Sequence, residues 1–342
     1  MKKLGKQTYE LEKDVSIITG VSLVGGKEGQ GPLKNYFDFI EQDDKMGEKT
    51  FEKGERKMFL KTISHAIRKS GVDKDKVDLY VGGDLMNQLV SSNYTASELE
   101  IPFLGLYNAC ATMTESLIIG STFLDTGGMR NIICATGSHF STAERQYRYP
   151  LEFGNQRQSY AQWTVTGVGA TFLSVEKKAS VKIKRYAIGK VTDFGVVDIA
   201  NMGAAMAPAA METLVAFFKD TKTSQKDYDL IATGDLGKLG SDILKDLMKE
   251  KGYELETNYI DCGHMIFNID QDTLQGGSGA GCSASVFNSY ILSKLESGEF
   301  KRVLLISTGA LMSTTTNQQG DSIPCIAHLV MIEGGKWWAK HC

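Results

Sequence analysis

The chain has 342 residues, with 38 basic and 41 acidic side chains giving a formal net charge of −3. That balance excludes a general nucleic-acid surface, and 36 scattered glycines with only 5 prolines exclude a long low-complexity tail. No run of about 18 apolar residues is present to span a bilayer. The N-terminus from Met1 to Val15 lacks the apolar stretch of a signal peptide, so the chain is expected to stay on the side where it is made. Its cysteines, at 110, 134, 262, 282, 325 and 342, show neither a Cys-x-x-Cys pair nor metal-ligand spacing, which points to reduced and mostly buried thiols.

In chain order, β-branched runs alternate with helical stretches. A strand is predicted over Val15–Val24. The charged segment from Glu41 to Lys57 reads as a solvated loop entering a helix over Glu55–Ser70. Next come a strand over Val77–Gly82, a helix over Ala111–Leu124, and strands over Asn131–Ala135, Thr164–Val175 and Val181–Ile188. A helix over Ala204–Lys219, a strand over Leu230–Thr233 and a helix over Lys238–Lys251 follow. The pattern closes with a helix over Ser283–Glu296 and strands over Arg302–Thr308 and Ile323–Ile332. Such alternation predicts a layered α/β fold.

The two halves echo each other. Asp78-Leu-Tyr-Val-Gly-Gly-Asp84 matches Asp229-Leu-Ile-Ala-Thr-Gly-Asp235 at an offset of 151 (229 − 78). The segment Ala109 to Ile119 matches Gly281 to Ile291, and Cys134-Ala-Thr-Gly137 matches Ile306-Ser-Thr-Gly309, both at an offset of 172 (281 − 109 and 306 − 134). A duplicated α/β unit is therefore expected, with halves at 1–178 and 179–335 and a tail at 336–342. No role is given to the tail or to Cys342.

This duplication, with a cysteine at the start of a buried helix, resembles the thiolase and ketoacyl-synthase fold, layered α-β-α-β-α. The resemblance covers nearly the whole chain. Asn108-Ala-Cys-Ala-Thr112 is similar to that superfamily's nucleophile segment, Thr166-Gly-Val-Gly-Ala170 to its glycine-rich strand entry, and Ser307-Thr-Gly-Ala-Leu-Met312 to its late glycine turn. More particularly, Ala135 through Pro150, then Ala161 through Gly167, with Asp261-Cys-Gly263 and Gly276-Gly-Ser-Gly279, resemble the stage V sporulation protein AD family. That resemblance implies binding of dipicolinic acid, pyridine-2,6-dicarboxylate, in support of its uptake into the developing spore and release at germination. It also implies a peripheral place at the spore's inner membrane, integral-membrane partners of the same sporulation system, and a homodimer paired through the core sheets.

Acyl transfer on this fold needs a nucleophile, a base and oxyanion donors. Cys110, at a helix N-terminus, has the setting that lowers a thiol pKa. The positions where thiolases and ketoacyl synthases carry histidines hold the stretch Gly276–Cys282 and Asp235, and Ser307, Thr308 and Gly309 replace a second cysteine. Asp235 and its counterpart Asp84 are expected to be structural. His65 reads as a helix-face residue and His328 as a satisfied strand position. His264 is the one rescue candidate for a base, and His139 is expected at the pocket.

A dianionic aromatic acid calls for bidentate guanidinium partners. Of Arg145, Arg148 and Arg157, with Glu144 and Gln146 beside them, Arg148 is the expected ligand residue, and the other two are expected to pair across a dimer interface or with Glu144 and Glu152. Backbone donors between Gly276 and Gly281 are candidates for the second carboxylate. The expected pocket is Cys110, Asn108, Ser138, His139, Arg148, Gly277, Ser278 and Thr308, with no catalytic residue, metal or cofactor. Whether calcium accompanies the ligand is left open, since no Asp/Asn-rich loop appears. The competing reading is a cysteine-dependent acyltransferase or ketoacyl-synthase-like enzyme.

Overall fold

Duplication in sequence becomes duplication in the sheet. A computed structural model describes residues 1–148, 151, 154 and 156–335; Glu152 and the tail fall outside the described residues. The first half runs β1 (Lys2–Lys3), β2 (Thr8–Gly25), β3 (Phe39–Glu41), α1 (Phe51–Ser70), β4 (Leu79–Gly83), α2 (Val90–Leu99), β5 (Phe103–Gly105), α3 (Thr112–Thr126), β6 (Asn131–Ser138), α4 (Phe140–Tyr147), β7 (Trp163–Thr164) and β8 (Gly167–Ser174). The second half runs β9 (Lys182–Ala187), α5 (Met202–Thr221), β10 (Leu230–Thr233), α6 (Gly237–Glu250), β11 (Tyr259–Asp261), α7 (Cys262–Met265), β12 (Gly277–Ser278), α8 (Ala280–Val286), α9 (Leu292–Ser297), β13 (Arg302–Ala310), α10 (Thr314–Gln318) and β14 (Cys325–Glu333). The main sheet path is β11-β10-β13-β14-β9-β2-β8-β6-β4-β5. Outward from the antiparallel β9–β2 seam, β2, β8, β6, β4 and β5 match β9, β14, β13, β10 and β11 one for one.

The layers follow from the period of two in each buried strand. In β6, Ile132 and Cys134 join the central core, whereas Ile133 and Ala135 face an outer core built on Met58, Phe59 and Ile63 of α1. In β13, Val303 and Leu305 join the central core, and Leu304 and Ile306 face a second outer core with Leu214 and Phe218 of α5 and Leu244 of α6. The central core is filled by Met113, Leu117 and Leu124 of α3 and by Phe287, Ile291 and Leu295 of the matching second-half helix. The result is α-β-α-β-α, the expected layering.

A carboxylate device is repeated as well. Asp78 Oδ2 accepts from the Arg130 and Asn131 N–H groups at 2.7 and 2.9 Å, and Asp229 Oδ2 from those of Lys301 and Arg302, both at 2.8 Å. Each aspartate thus ties the start of one strand to its neighbour.

The helical repeat departs from the expected register. Ala109 (φ 49°) precedes the first buried helix and Gly279 (φ 104°) the second, 170 residues apart (279 − 109), while their C-terminal glycines, Gly127 and Gly298, are 171 apart (298 − 127). A π-helical turn at Phe287–Ile291 takes up the extra residue. The counterpart of Cys110 is therefore Ala280, and the ungapped offset of 172 is corrected.

Candidate functional site

Cys110 lies in a 3-10 turn, Ala109–Ala111, that leads into α3. The end of β13 presses on this turn so closely that a Cβ on Gly309 would come within 2.7 Å of the Asn108 carbonyl oxygen, which is why the late glycine is there. From the second half, Gly279 enters α8 at a positive φ that an L side chain rarely adopts, with Ser138 Oγ only 2.8 Å from where its Cβ would be. The two helix starts and α4 enclose a cavity of about 310 Å³.

Of the expected residues, the structure brings Cys110, Arg148 and Ser278 to this cavity. The others have structural work. Ser138 Oγ donates to the Val165 carbonyl at 2.7 Å and accepts from Gly281 N–H at 3.0 Å, joining the two halves. Thr308 Oγ1 donates to Asp235 at 2.8 Å, and Gly277 pairs with Trp163 in the short β7–β12 ladder. Asn108 turns away to meet His328 Nε2 at 3.1 Å, while His328 Nδ1 accepts from Gly189 N–H at 3.1 Å. Burial pushes that imidazole down to about 4. His139 is fully buried behind the wall. Its Nδ1 caps α4 by accepting from Ser141 N–H at 3.1 Å, and its Nε2–H donates to the Asp44 carbonyl at 2.8 Å. The expected pocket role of His139 is corrected, because both ring nitrogens are already used. His264 is exposed on α7 and His65 leans on Arg68; among the described residues no histidine lines the cavity.

Asp235 and its twin Asp84, matched in sequence and both expected to be structural, have different partners. Asp84 binds only its own half, accepting from Met86 N–H, Ser92 N–H and Ser92 Oγ. Asp235 instead receives Gly279 N–H at 3.0 Å and Thr308 Oγ1 at 2.8 Å, and it lies beside the Cys110 thiol. Complete burial raises its carboxyl to about 6. Burial and this neighbouring carboxylate push the Cys110 thiol well above its ordinary value, against the weaker pull of Gly279 N–H and Arg148. The helix-start effect expected to prepare a thiolate is thus outweighed by desolvation.

The remaining wall comes from α4, whose Ala143, Gln146 and Tyr147 face the cavity at helical spacing. Tyr147 OH donates to the Leu85 carbonyl and meets Tyr107 OH, both at 2.6 Å. Just past the helix, Arg148 forms an ion pair with Glu144 one turn back; the two side chains are 11% and 9% exposed. Among the described residues, the other edge of its guanidinium meets only the Met202 sulfur, at 3.9 Å. Arg145 pairs with Glu52 and Arg157 with Asp272, ion pairs with other partners than the expected Glu144, which is taken by Arg148, and Glu152, which lies outside the described residues. Among the described residues no group of three or more His, Cys, Asp or Glu side chains is placed to hold a metal ion.

The layered, duplicated fold is that of the thiolase-like proteins. An 11%-identical 3-oxoacyl-[acyl-carrier-protein] synthase III from Aquifex aeolicus aligns over 93% of this chain and 99% of its own at a TM-score of 0.58. A thiolase from Ascaris suum in complex with coenzyme A, also 11% identical, aligns over 94% of this chain and 100% of its own at 0.61. OleA from Xanthomonas campestris, 12% identical, aligns over 95% and 99% at 0.59. Within that fold, the profile described as "Stage V sporulation protein AD (SpoVAD)" matches residues 5–333. Stage V sporulation protein AD of Bacillus subtilis (strain 168) is 43% identical over 333 residues, 97% of this chain and 98% of the relative. The chain belongs to the stage V sporulation protein AD family.

The buried thiol gives a direct expectation. At pH 7 Cys110 reacts with iodoacetamide far more slowly than a free thiol, and Asp235→Asn, which removes the neighbouring negative charge, accelerates it. Mass spectrometry of the labelled peptide reads both, and a fast wild-type reaction contradicts the neutral-thiol assignment.

Proposed function

We propose that the cavity binds dipicolinate without turning it over, in support of the compound's uptake into the developing spore and its release at germination. The observation that carries this reading is Arg148: a guanidinium sunk in the wall, held in place by Glu144, with a second donor edge that among the described residues meets only a thioether. A carboxylate is the natural partner for that edge. The volume is at the small end of ligand pockets, which run from about 300 Å³ upward, and suits one planar ring. Tyr107, Tyr147 and Gln146 supply further polar contacts at the rim, and membership in a sporulation family agrees with a spore ligand.

The competing reading, cysteine-dependent acyl transfer, has one observation in its favour: the thiol of Cys110 lies beside the carboxylate of Asp235, a potential base. Against it, that carboxylate is already engaged by Gly279 N–H and Thr308 Oγ1 and raises the thiol pKa. Calorimetric titration with dipicolinate, with and without calcium, is expected to show binding. Arg148→Ala weakens it by at least about tenfold, about 1.4 kcal/mol. Intact mass after incubation with acyl-coenzyme A thioesters is expected to stay unchanged. An adduct on Cys110 that turns over with a second substrate refutes the reading. Arg148→Ala also leaves Glu144 without its ion pair in a nearly buried site, so a lower melting temperature accompanies the lost affinity.

A pH dependence follows from Asp235. Its carboxyl titrates near 6 in the free protein, and a dianion beside it favours the protonated form. Binding therefore takes up protons, and affinity falls as pH rises above about 6. Titrations in buffers of different ionisation enthalpy measure the uptake; Asp235→Asn abolishes it.

The site operates, on this reading, in a homodimer peripheral to the spore inner membrane, beside integral-membrane partners. No helix among the described residues is long and apolar enough to cross a membrane. The short edge strand β5 ends the sheet with Leu104 exposed and Tyr107 exposed two residues beyond it, a suitable place for sheets to join. Leu104→Lys is expected to shift sedimentation from dimer to monomer, and co-purification with membranes of sporulating cells tests the location.

A further inference from the structure

Behind Arg148 lies a second, smaller cavity of about 50 Å³, lined by Glu144, Arg148, Arg157 and Gln162 among others. Its walls hold polar atoms that no described residue satisfies. Arg157 Nη1 is buried without a partner. Its Nη2 donates to the Asp272 carbonyl at 2.8 Å, the Asp272 carboxylate stands 3.6 Å away, and the guanidinium lies over the Trp163 ring at 4.5 Å. Gln162 is 3% exposed; its Nε2 donates to the Asp235 and Gly277 carbonyls, both at 2.8 Å, which leaves Oε1 as an acceptor without a donor.

Two guanidiniums and one buried carboxylate thus share a space too small for a ligand ring. The carboxylate is Glu144, and its negative charge is felt by Arg157 as well as by Arg148. If Glu144 belonged to Arg148 alone, it would cancel the one cation that lines the ligand cavity. A buried unpaired donor across the small cavity offers Glu144 a second cation.

We propose that Arg157 is a positioning residue for carboxylate binding: by sharing the charge of Glu144, it leaves Arg148 net positive toward the ligand cavity. This rests on the dipicolinate reading of that cavity. Arg157 acts on the ligand only through Glu144 and Arg148, so its effect depends on Glu144 carrying a charge. That dependence separates positioning from a direct contact, and from a merely structural role.

The test is a double-mutant cycle on the full chain, with dipicolinate affinity read by calorimetry and folding by thermal melting. Arg157→Gln is expected to weaken binding about tenfold, Arg157→Lys to restore most of it, and Glu144→Gln to match or exceed wild type. In the Glu144→Gln background, Arg157→Gln is expected to change nothing further. Unchanged affinity in Arg157→Gln overturns the proposal. So does a tenfold loss that persists with Glu144→Gln, since that marks a direct contact. Should Arg157→Gln melt early, Arg157→Lys against Glu144→Gln decides by the same rule. A wild-type protein that binds no dipicolinate removes the functional reading itself, an outcome distinct from a failed cycle.

Discussion

The carboxylate of Asp235 is the point on which the site depends. It follows the end of β10, in the second half, gathers a backbone N–H from the start of α8 and a hydroxyl from β13, and lies beside the thiol of Cys110 from the first half. Three segments distant in sequence are fixed by one buried acidic group. An orphaned buried carboxylate costs several kcal/mol, so each donor is held in place by the cost of its absence. Burial pushes the thiol pKa up, and the negative charge of the same group adds to that push. A helix start that could have prepared a nucleophile is turned into a polar wall.

The ligand cavity inherits its other properties from α4. That helix is short, capped by an imidazole instead of a hydroxyl or carboxamide, carries Tyr147 of the wall and ends at Arg148. Its last residues place one cation between two spaces, a larger one open to a ligand and a smaller one occupied by counter-charge. On the dipicolinate reading, binding strength is then a matter of charge partition across Arg148 as much as of shape.

Much of the fold was legible in the residues, since long buried strands and most helices of ten or more residues have strong periods; the ten-residue α2, whose buried positions are mainly serine, threonine and alanine, is the exception. The repeat of Asp78 and Asp229 located the same strand-tying bond in each half. What escaped was short or local. The strands β5 and β11 have three residues each and lie at the sheet edges, and α4 has eight, too few for its period to stand out beside His139 and three charged or amide neighbours. Read as a helix, Ala143, Gln146 and Tyr147 would have declared one face. The ungapped repeat placed Cys282 opposite Cys110, because a single-residue π insertion leaves no mark in composition. Cys110, Arg148 and Ser278 were found from motif and chemistry. Asp235 was set aside by symmetry with Asp84, and symmetry fails there because only the second-half aspartate meets the other half.

The cap on α4 couples the wall to acidity. An imidazole whose Nδ1 accepts and whose Nε2–H donates can do both only while neutral, and burial keeps His139 in that form to lower pH than an exposed histidine. Once protonated, Nδ1–H would face the Ser141 N–H, two donors with no acceptor between them, and the first turn of the helix would lose its anchor. Acid that neutralises Asp235 and acid that releases α4 therefore act in opposite senses on one cavity, so that the wall's integrity sets a floor beneath any gain in binding as pH falls.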